Sequence, residues 1–241
     1  MNVLDIPRAE AVLLRAAEDF RYLLAHGYPR TASLTLVGNR YNLDAAGRHI
    51  LHRGVYHPAE AEARKNKLLP PDRIKDRTLA VDGHNVVITL ESALTGVTLV
   101  WADDGLIRDI AGVRGGHTLT PVTEQAVSLL AEAVHSLQPD EILAYFDAPV
   151  SHSGVLAAMT QERLTRLGID HTAMAVKAPD DEIAAQKDAV AATSDSHLAD
   201  RVTLLFDLAA HIIFTRLRPL PRSLIRFSTS KNAIDTLISY N

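Results

Sequence analysis

The chain has 241 residues, 47% hydrophobic, with a formal net charge of −4, enough length to bury one full core and a smaller second unit. Cysteine is absent, which excludes a disulfide framework and any thiolate metal site, and the mild acidity excludes a surface that coats nucleic acid or an anionic membrane throughout. No stretch approaches the ~20 uninterrupted apolar residues of a membrane span, and the opening Met1-Asn2-Val3-Leu4-Asp5 lacks the basic flank and apolar core of a signal peptide, so a soluble, cytoplasmic protein is expected.

From Glu10 to Ala25, Leu13, Ala17, Phe20 and Leu24 recur at three- or four-residue spacing, one stripe of an amphipathic helix. His26-Gly27-Tyr28-Pro29 ends it. Thr31 to Tyr41 and Ala45 to Val55 fit two more short helices, so residues 1–70 read as a small helical domain. That region is also basic: residues 1–77 hold 13 Lys or Arg against 9 Asp or Glu, and residues 78–241 hold 12 against 20. Such a split suits a basic docking part beside an acidic metal-binding part, or ordinary solvated surface. Pro70-Pro71 and the charges that follow as far as Arg77 resist helix and mark a boundary.

After the boundary, short apolar runs alternate with helical segments, the pattern of an α/β fold with a mainly parallel sheet and flanking helices. Thr78 to Val81, Glu141 to Phe146, Thr172 to Val176 and Ala189 to Ala192 read as strands. Val122 to Leu137 and Val155 to Leu167 read as helices, with Gly168 at a helix C-terminus. Leu99 to Asp109, centred on Asp104-Gly105, reads as a hairpin. Residues 78–215 form the second domain and 216–241 an extension. Its apolar positions from Leu224 to Tyr240 fit either a partner surface, which leaves a homo-oligomer open, or packing on its own domain.

Three apolar runs end in aspartate and a turn: Ala80-Val81-Asp82-Gly83, Tyr145-Phe146-Asp147-Ala148-Pro149 and Ala192-Thr193-Ser194-Asp195-Ser196. The carboxyl ends of parallel strands lie along one edge of a sheet, and ligands bind where strand order reverses. Carboxylates gathered there repel unless a cation neutralises them or one stays protonated. Oxygen ligands without cysteine favour Mg²⁺ or Mn²⁺ over Zn²⁺, and such ions serve phosphate chemistry. Against this, aspartate is a common helix cap and turn residue. Glu91 is the candidate fourth acid, with Asp103, Asp104 and Asp109 competing, although Asp104-Gly105 also reads as turn chemistry.

Asn85 is placed to orient Asp82 or a metal-bound water, or simply to bond its own turn. Ser151, Ser153 and Gly154 precede a helix whose free N–H groups could take a phosphate, and capping is the simpler account. Arg40, Arg53, Arg64, Lys65 and Lys67, with Tyr41, would suit a nucleic-acid backbone such as RNA, or form solvated surface. There is no Gly-x-Ser-x-Gly elbow and no phosphate-cradling glycine loop.

Leu36-Val37-Gly38-Asn39-Arg40-Tyr41 with Leu51-His52-Arg53-Gly54-Val55 resembles the N-terminal domain of the DUF434 proteins of archaea and bacteria. Val81-Asp82-Gly83-His84-Asn85-Val86, Phe146 to Gly154 and Thr193-Ser194-Asp195-Ser196 resemble the companion domain, DUF5616. That domain is in turn similar to NYN and PIN-like nucleases, which hydrolyse RNA around one or two Mg²⁺ or Mn²⁺ ions. Asp82, Asn85, Asp147, Ser194 and Asp195 match their motifs position by position, while Ser-Asp-Ser-His lacks the second aspartate of Ser-Asp-x-Asp. The resemblance implies a PIN-like, Rossmann-like sheet and a metal-dependent ribonuclease in which Asp82, Asp147 and Asp195 hold the metal and Glu91 completes the shell. A catalytically silent RNA-binding module and a phosphohydrolase of small phosphoesters are the alternatives.

Overall fold

The computed structural model describes residues 6–111, 117–221 and 223–227. Four helices open the chain: α1 (Ile6–Ala25), α2 (Arg30–Arg40), α3 (Ala45–Gly54) and α4 (Pro58–Lys65). The expected stripe Leu13, Ala17, Phe20 and Leu24 is buried against Val37, Ile50, Leu51 and Val55. Asp44 caps α3, its Oδ1 accepting the Gly47 N–H at 2.8 Å. Arg48 folds back over Gly38, donating to Leu43 O at 3.0 Å and Asn39 Oδ1 at 2.8 Å. The motif around Gly38 and Asn39 is therefore a helix-packing device.

The second part alternates strand and helix: β1 (Thr78–Asp82), α5 (Gly83–Thr95), β2 (Leu99–Trp101), β3 (Ile107–Asp109), α6 (Pro121–Leu137), β4 (Glu141–Asp147), α7 (Ser153–Arg166) and β5 (His171–Val176). It continues with α8 (Pro179–Ala185), β6 (Val190–Ala192), α9 (Ser196–Arg201), β7 (Leu205–Phe206), α10 (Leu208–Arg216) and β8 (Leu224–Arg226). Five strands form one sheet in the order β5-β4-β1-β6-β7, every pair parallel. This is an α/β, Rossmann-like sheet with the helical region ahead of it. Leu79 and Val81 face the large core with α5, α6, α7 and α10, while Ala80 faces the smaller one with α8 and α9. A central strand covered on both sides has to be apolar throughout, which is why β1 does not alternate.

Neither sheet edge is bare. Gln161 Oε1 accepts the outward Ala173 N–H of β5 at 3.0 Å, and residues 67–69 pair with Leu205 of β7. Both contacts block strand addition at an open edge.

The expected hairpin forms, with β2 antiparallel to β3. The local pattern of the tail gave no warning that β8 would pair parallel to β2. Leu99, Trp101 and Ile107 belong to the large sheet core, whereas Val100 and Phe227 pack with the N-terminal helices. Alternate side chains of β2 thus join two cores. Leu224 to Phe227 pack on the chain's own body; the rest of the expected tail surface, 228–240, lies outside the described residues, as do the first five. Among the described residues no helix is long and apolar enough to cross a membrane.

Candidate functional site

Strand order reverses at β1: β4 and β5 lie on one side, β6 and β7 on the other. The crevice beyond the carboxyl ends of β1 and β6 is therefore where a ligand is expected. Hydrogen bonds already span it. Asp82, 8% exposed, accepts the Thr193 hydroxyl on Oδ2 at 3.0 Å and the Asn85 N–H on Oδ1 at 3.2 Å. Asn85 Oδ1 accepts both the N–H and the hydroxyl of Ser194, at 2.8 and 3.0 Å. Asp195 caps α9, its Oδ1 accepting from the N–H groups of His197 and Leu198 at 2.8 and 3.0 Å. Asp82, Asn85, Ser194 and Asp195 are thus brought together by two adjacent strands.

Asp147 ends β4, the neighbour of β1 on the other side. Its N–H donates to His84 Nδ1 at 2.9 Å. A backbone N–H can only donate, so the His84 proton sits on Nε2, a buried atom with no hydrogen-bond partner among the described residues. Burial, then the neighbouring His117, pushes the His84 imidazole down to about 4, so it is neutral at pH 7. The His117 ring lies 6.1 Å away, edge-on.

Glu91 does not reach the crevice. It lies nine residues after Asp82, ~13 Å along α5 at 1.5 Å per residue. There it bonds His117 Nε2 at 2.8 Å and accepts the Thr123 hydroxyl at the start of α6. The competing acids are also engaged elsewhere. Asp104 is fully buried between Arg108 and Arg64, at 2.7 and 3.1 Å. Asp103 binds Arg21 at 2.7 Å, and Asp109 takes the Thr89 hydroxyl at 3.4 Å and faces Arg53 at 3.6 Å.

Two further aspartates matter, Asp180 and Asp207, that the three strand endings read from the sequence do not include. Asp180 opens α8, and its carboxyl is raised by burial, then by Asp195, with Asp147 also contributing. Burial pushes the Asp82 carboxyl up to about 7 against the Asn85 and Thr193 hydrogen bonds, and Asp180 and Asp195 add to the rise. Asp180 therefore shares a field with each of Asp82, Asp147 and Asp195, and Asp195 with Asp82. Asp207 ends β7, the strand-then-aspartate pattern once more. It caps α10 through the Ala210 N–H at 2.8 Å and accepts the Ile107 N–H at 2.6 Å.

The expected metal ligands Asp82, Asp147 and Asp195 stand at the end of β1, at the end of β4 and at the cap of α9. Among the described residues no three acids or histidines are grouped to hold a metal ion. The physical reason is that Asp82 and Asp195 turn toward helix N–H groups, which satisfies both charge and capping.

The basic residues are largely internal ties. Arg64 is 3% exposed and bonded to Asp104 and Asp200, so it is not a free docking cation. Lys67 Nζ donates to the carbonyls of Ala199 and Asp200 at 2.8 and 3.2 Å. Arg53 donates to Asp109 O at 3.1 Å. Lys65 faces Glu62 at 3.9 Å and the exposed Arg40 faces Asp19 at 3.3 Å. Adjacent cations look alike in sequence; only the fold shows which of them has a buried carboxylate beside it. Ser153 donates to Ala148 O at 3.3 Å, and Ser151 is exposed in the turn before it. His152 stands at the N-cap of α7 without a side-chain cap bond.

Residues 71–211 match the model of DUF5616, a domain of unknown function, and residues 12–67 match that of DUF434, a protein family of unknown function. A protein of Methanocaldococcus jannaschii described as uncharacterised is 33% identical over 201 residues, 83% of this chain and 95% of its own length. No solved structure matches significantly. With one domain model spanning more than half of its residues and a relative aligned along most of both chains, the chain belongs to the DUF5616 family, here preceded by a DUF434 region.

Proposed function

We propose that this chain is a cytoplasmic, Mg²⁺- or Mn²⁺-dependent phosphodiesterase acting on RNA, with the reacting phosphate seated between the ends of β1 and β6. One observation carries the reading: Asp82 and Asp195, both bonded to the Thr193 hydroxyl, stand where strand order reverses, with Asp180 in the field of both and Asp147 in that of Asp180. RNA as the polymer rests on the likeness of Asp82-Gly83-His84-Asn85 and Thr193-Ser194-Asp195-Ser196 to nuclease motifs.

The donor set fits such an ion in chemistry and in number. Mg²⁺ is ordinarily held by one or two carboxylates, several waters and substrate phosphate rather than by an all-protein cage. Asp195 caps its helix with Oδ1 alone, leaving Oδ2 outside the cap. Asp82 and Asp195 would hold the ion, with Asp147 and Asp180 binding its waters. When bound, the ion supplies an acidified water and neutralises phosphate oxygens. The chain's own residues orient. Ser194 fixes Asn85 Oδ1, which leaves the Asn85 Nδ2 hydrogens as donors for a phosphate oxygen. Thr193 holds the Asp82 carboxylate in place.

The internal engagement of Arg64 and Lys67 favours a second reading, a phosphohydrolase of small phosphoesters, because it removes cations that would grip a polymer. Labelled single-stranded RNA and a chromogenic phosphomonoester, each with Mn²⁺, separate the two. Cleavage of RNA by the wild type, falling about 100-fold or more in Asp82→Asn, is expected. Equal rates for both proteins, or turnover of the monoester alone, would overturn the ribonuclease reading.

A further inference from the structure

The N-terminal helices reach one small part of the sheet domain by two routes. In the first, Arg64 donates Nε and Nη2 to Asp200 Oδ1 and Oδ2 at 2.7 and 2.8 Å. Three residues later, Lys67 donates to the carbonyls of Ala199 and Asp200. Both grip the last turn of α9, the helix that Asp195 caps at its other end. In the second route, Arg64 Nη1 binds Asp104 Oδ2 at 3.1 Å. Asp104 receives Arg108 Nη1 and Nη2 at 2.8 and 2.7 Å, and Arg108 Nε donates to Ser194 O at 2.7 Å. Ser194 in turn fixes Asn85.

Residues 193–201 are thus fastened at both ends by groups from outside their own strand and helix. They need this. β6 has three residues and α9 six, and a helix that short has no stability of its own in water. The ties are also stiff: the Arg64 and Arg108 guanidiniums lie 4.5 and 4.9 Å from the centre of the Tyr56 ring, and planar bidentate pairs hold direction as well as distance. The two parts also meet elsewhere, at Arg21 and Asp103, at Arg53 and Asp109 and along β2. Both routes through Arg64 and Lys67 end on the segment that carries Ser194 and Asp195.

We infer that Arg64 and Lys67 are positioning residues for the crevice: through Asp200, and through Asp104 and Arg108, the DUF434 region holds the 193–201 segment where the site requires it. This assigns the helical region a bracing role in place of the RNA grip expected from its charge. The inference rests on the proposed phosphodiesterase reading only for the ion that the site would take.

The test uses the full chain with Asp200→Ala, a change at a half-exposed carboxylate that leaves the buried Asp104 network intact, and with Arg64→Met/Lys67→Met. Phe20→Leu, in the helical core, serves as a control of lowered overall stability. Amide exchange of residues 193–201 is expected to quicken about tenfold in both tie variants, with 79–82 and 141–146 unchanged. Phe20→Leu is expected to leave the 193–201 segment no faster than its surroundings. In parallel, Mn²⁺ alone is titrated by electron paramagnetic resonance, and weakening of about tenfold is expected in the tie variants. Unchanged exchange at 193–201, or a rise spread evenly over the molecule, would overturn the brace. A wild type that binds no Mn²⁺ would overturn the phosphodiesterase reading instead, and the exchange measurement would still decide the brace.

Discussion

An aspartate that closes a buried strand is asked for two things by the same pair of oxygens: to cap the next helix and to face the crevice beside it. Asp82, Asp195 and Asp207 all cap, and the local pattern that located the first two cannot show which oxygen remains for a ligand. Asp180 escaped notice because Asp180-Asp181-Glu182 at a helix start looks like ordinary complement to the helix dipole. Glu91 sat at a plausible spacing but faces His117, a contact across 26 residues that no local signal encodes. Asp207 gives a pH prediction away from the crevice. Burial raises its carboxyl from 3.8 to about 6 despite the Ala210 and Ile107 hydrogen bonds. With the folded value above the unfolded one, the folded state holds the proton more tightly. The associated stability is fully present below about pH 4 and is lost as pH rises through about 6. Asp207→Asn keeps one oxygen for the Ala210 cap, sets an amide NH2 against the Ile107 N–H and removes this titration, so its denaturation midpoint is expected to fall less than that of the wild type across that window. Its stability relative to the wild type should rise by about 1–2 kcal/mol between pH 4 and pH 7, after discounting for partial exposure. Chemical denaturation at pH 4, 5.5 and 7 measures it.

At the level of elements, α4, α5, α8 and α10 passed unread, while α1, α6, β4 and α7 were readable because an apolar period repeats in each. The short pieces β7, β8 and α9 were not, because two to six residues carry no period and take their form from neighbours. Where α5 leaves β1, backbone and ring meet closely: a Cβ on Gly83 would lie 2.3 Å from Phe146 of β4. The ring is buried on all sides and cannot yield. Gly83→Ala is expected to cost about 2–3 kcal/mol, as overpacking does, and to displace Asp82. Gly38 provides the contrast. A Cβ there meets the Arg48 guanidinium at 2.1 Å, the far end of a flexible chain. Gly38→Ala is expected to cost under about 1 kcal/mol, because the arginine can move and glycine is itself a poor helix former. Thermal melts of the two variants against wild type decide it.

For the whole molecule, the sequence changes pattern near Pro70 but carries no sign of the joint across it. β2 sends Val100 into the helical core and Leu99 and Trp101 into the sheet core, and Phe227 closes the helical side from the end of the described chain. A Cβ at Gly54 would stand 2.3 Å from that Phe227 ring and 2.6 Å from Val100, a measure of how closely the two parts meet. A fragment beginning at residue 71 would bare Val100 and Phe227 and leave buried Asp104 without Arg64. It is expected to lose cooperative unfolding, or to melt far below the full chain, by calorimetry. An independent melt at the parent temperature would refute the shared joint.

The chain's single tryptophan stands at this seam. Trp101 Nε1 donates to Gly105 O at 3.1 Å, and the indole lies 5.2 Å from the Phe214 ring with the Arg226 guanidinium 5.6 Å above it. One chromophore is therefore touched by the hairpin turn, by α10 and by β8 together. The molecule carries its own optical gauge: its emission reports the parting of those three neighbours without a label.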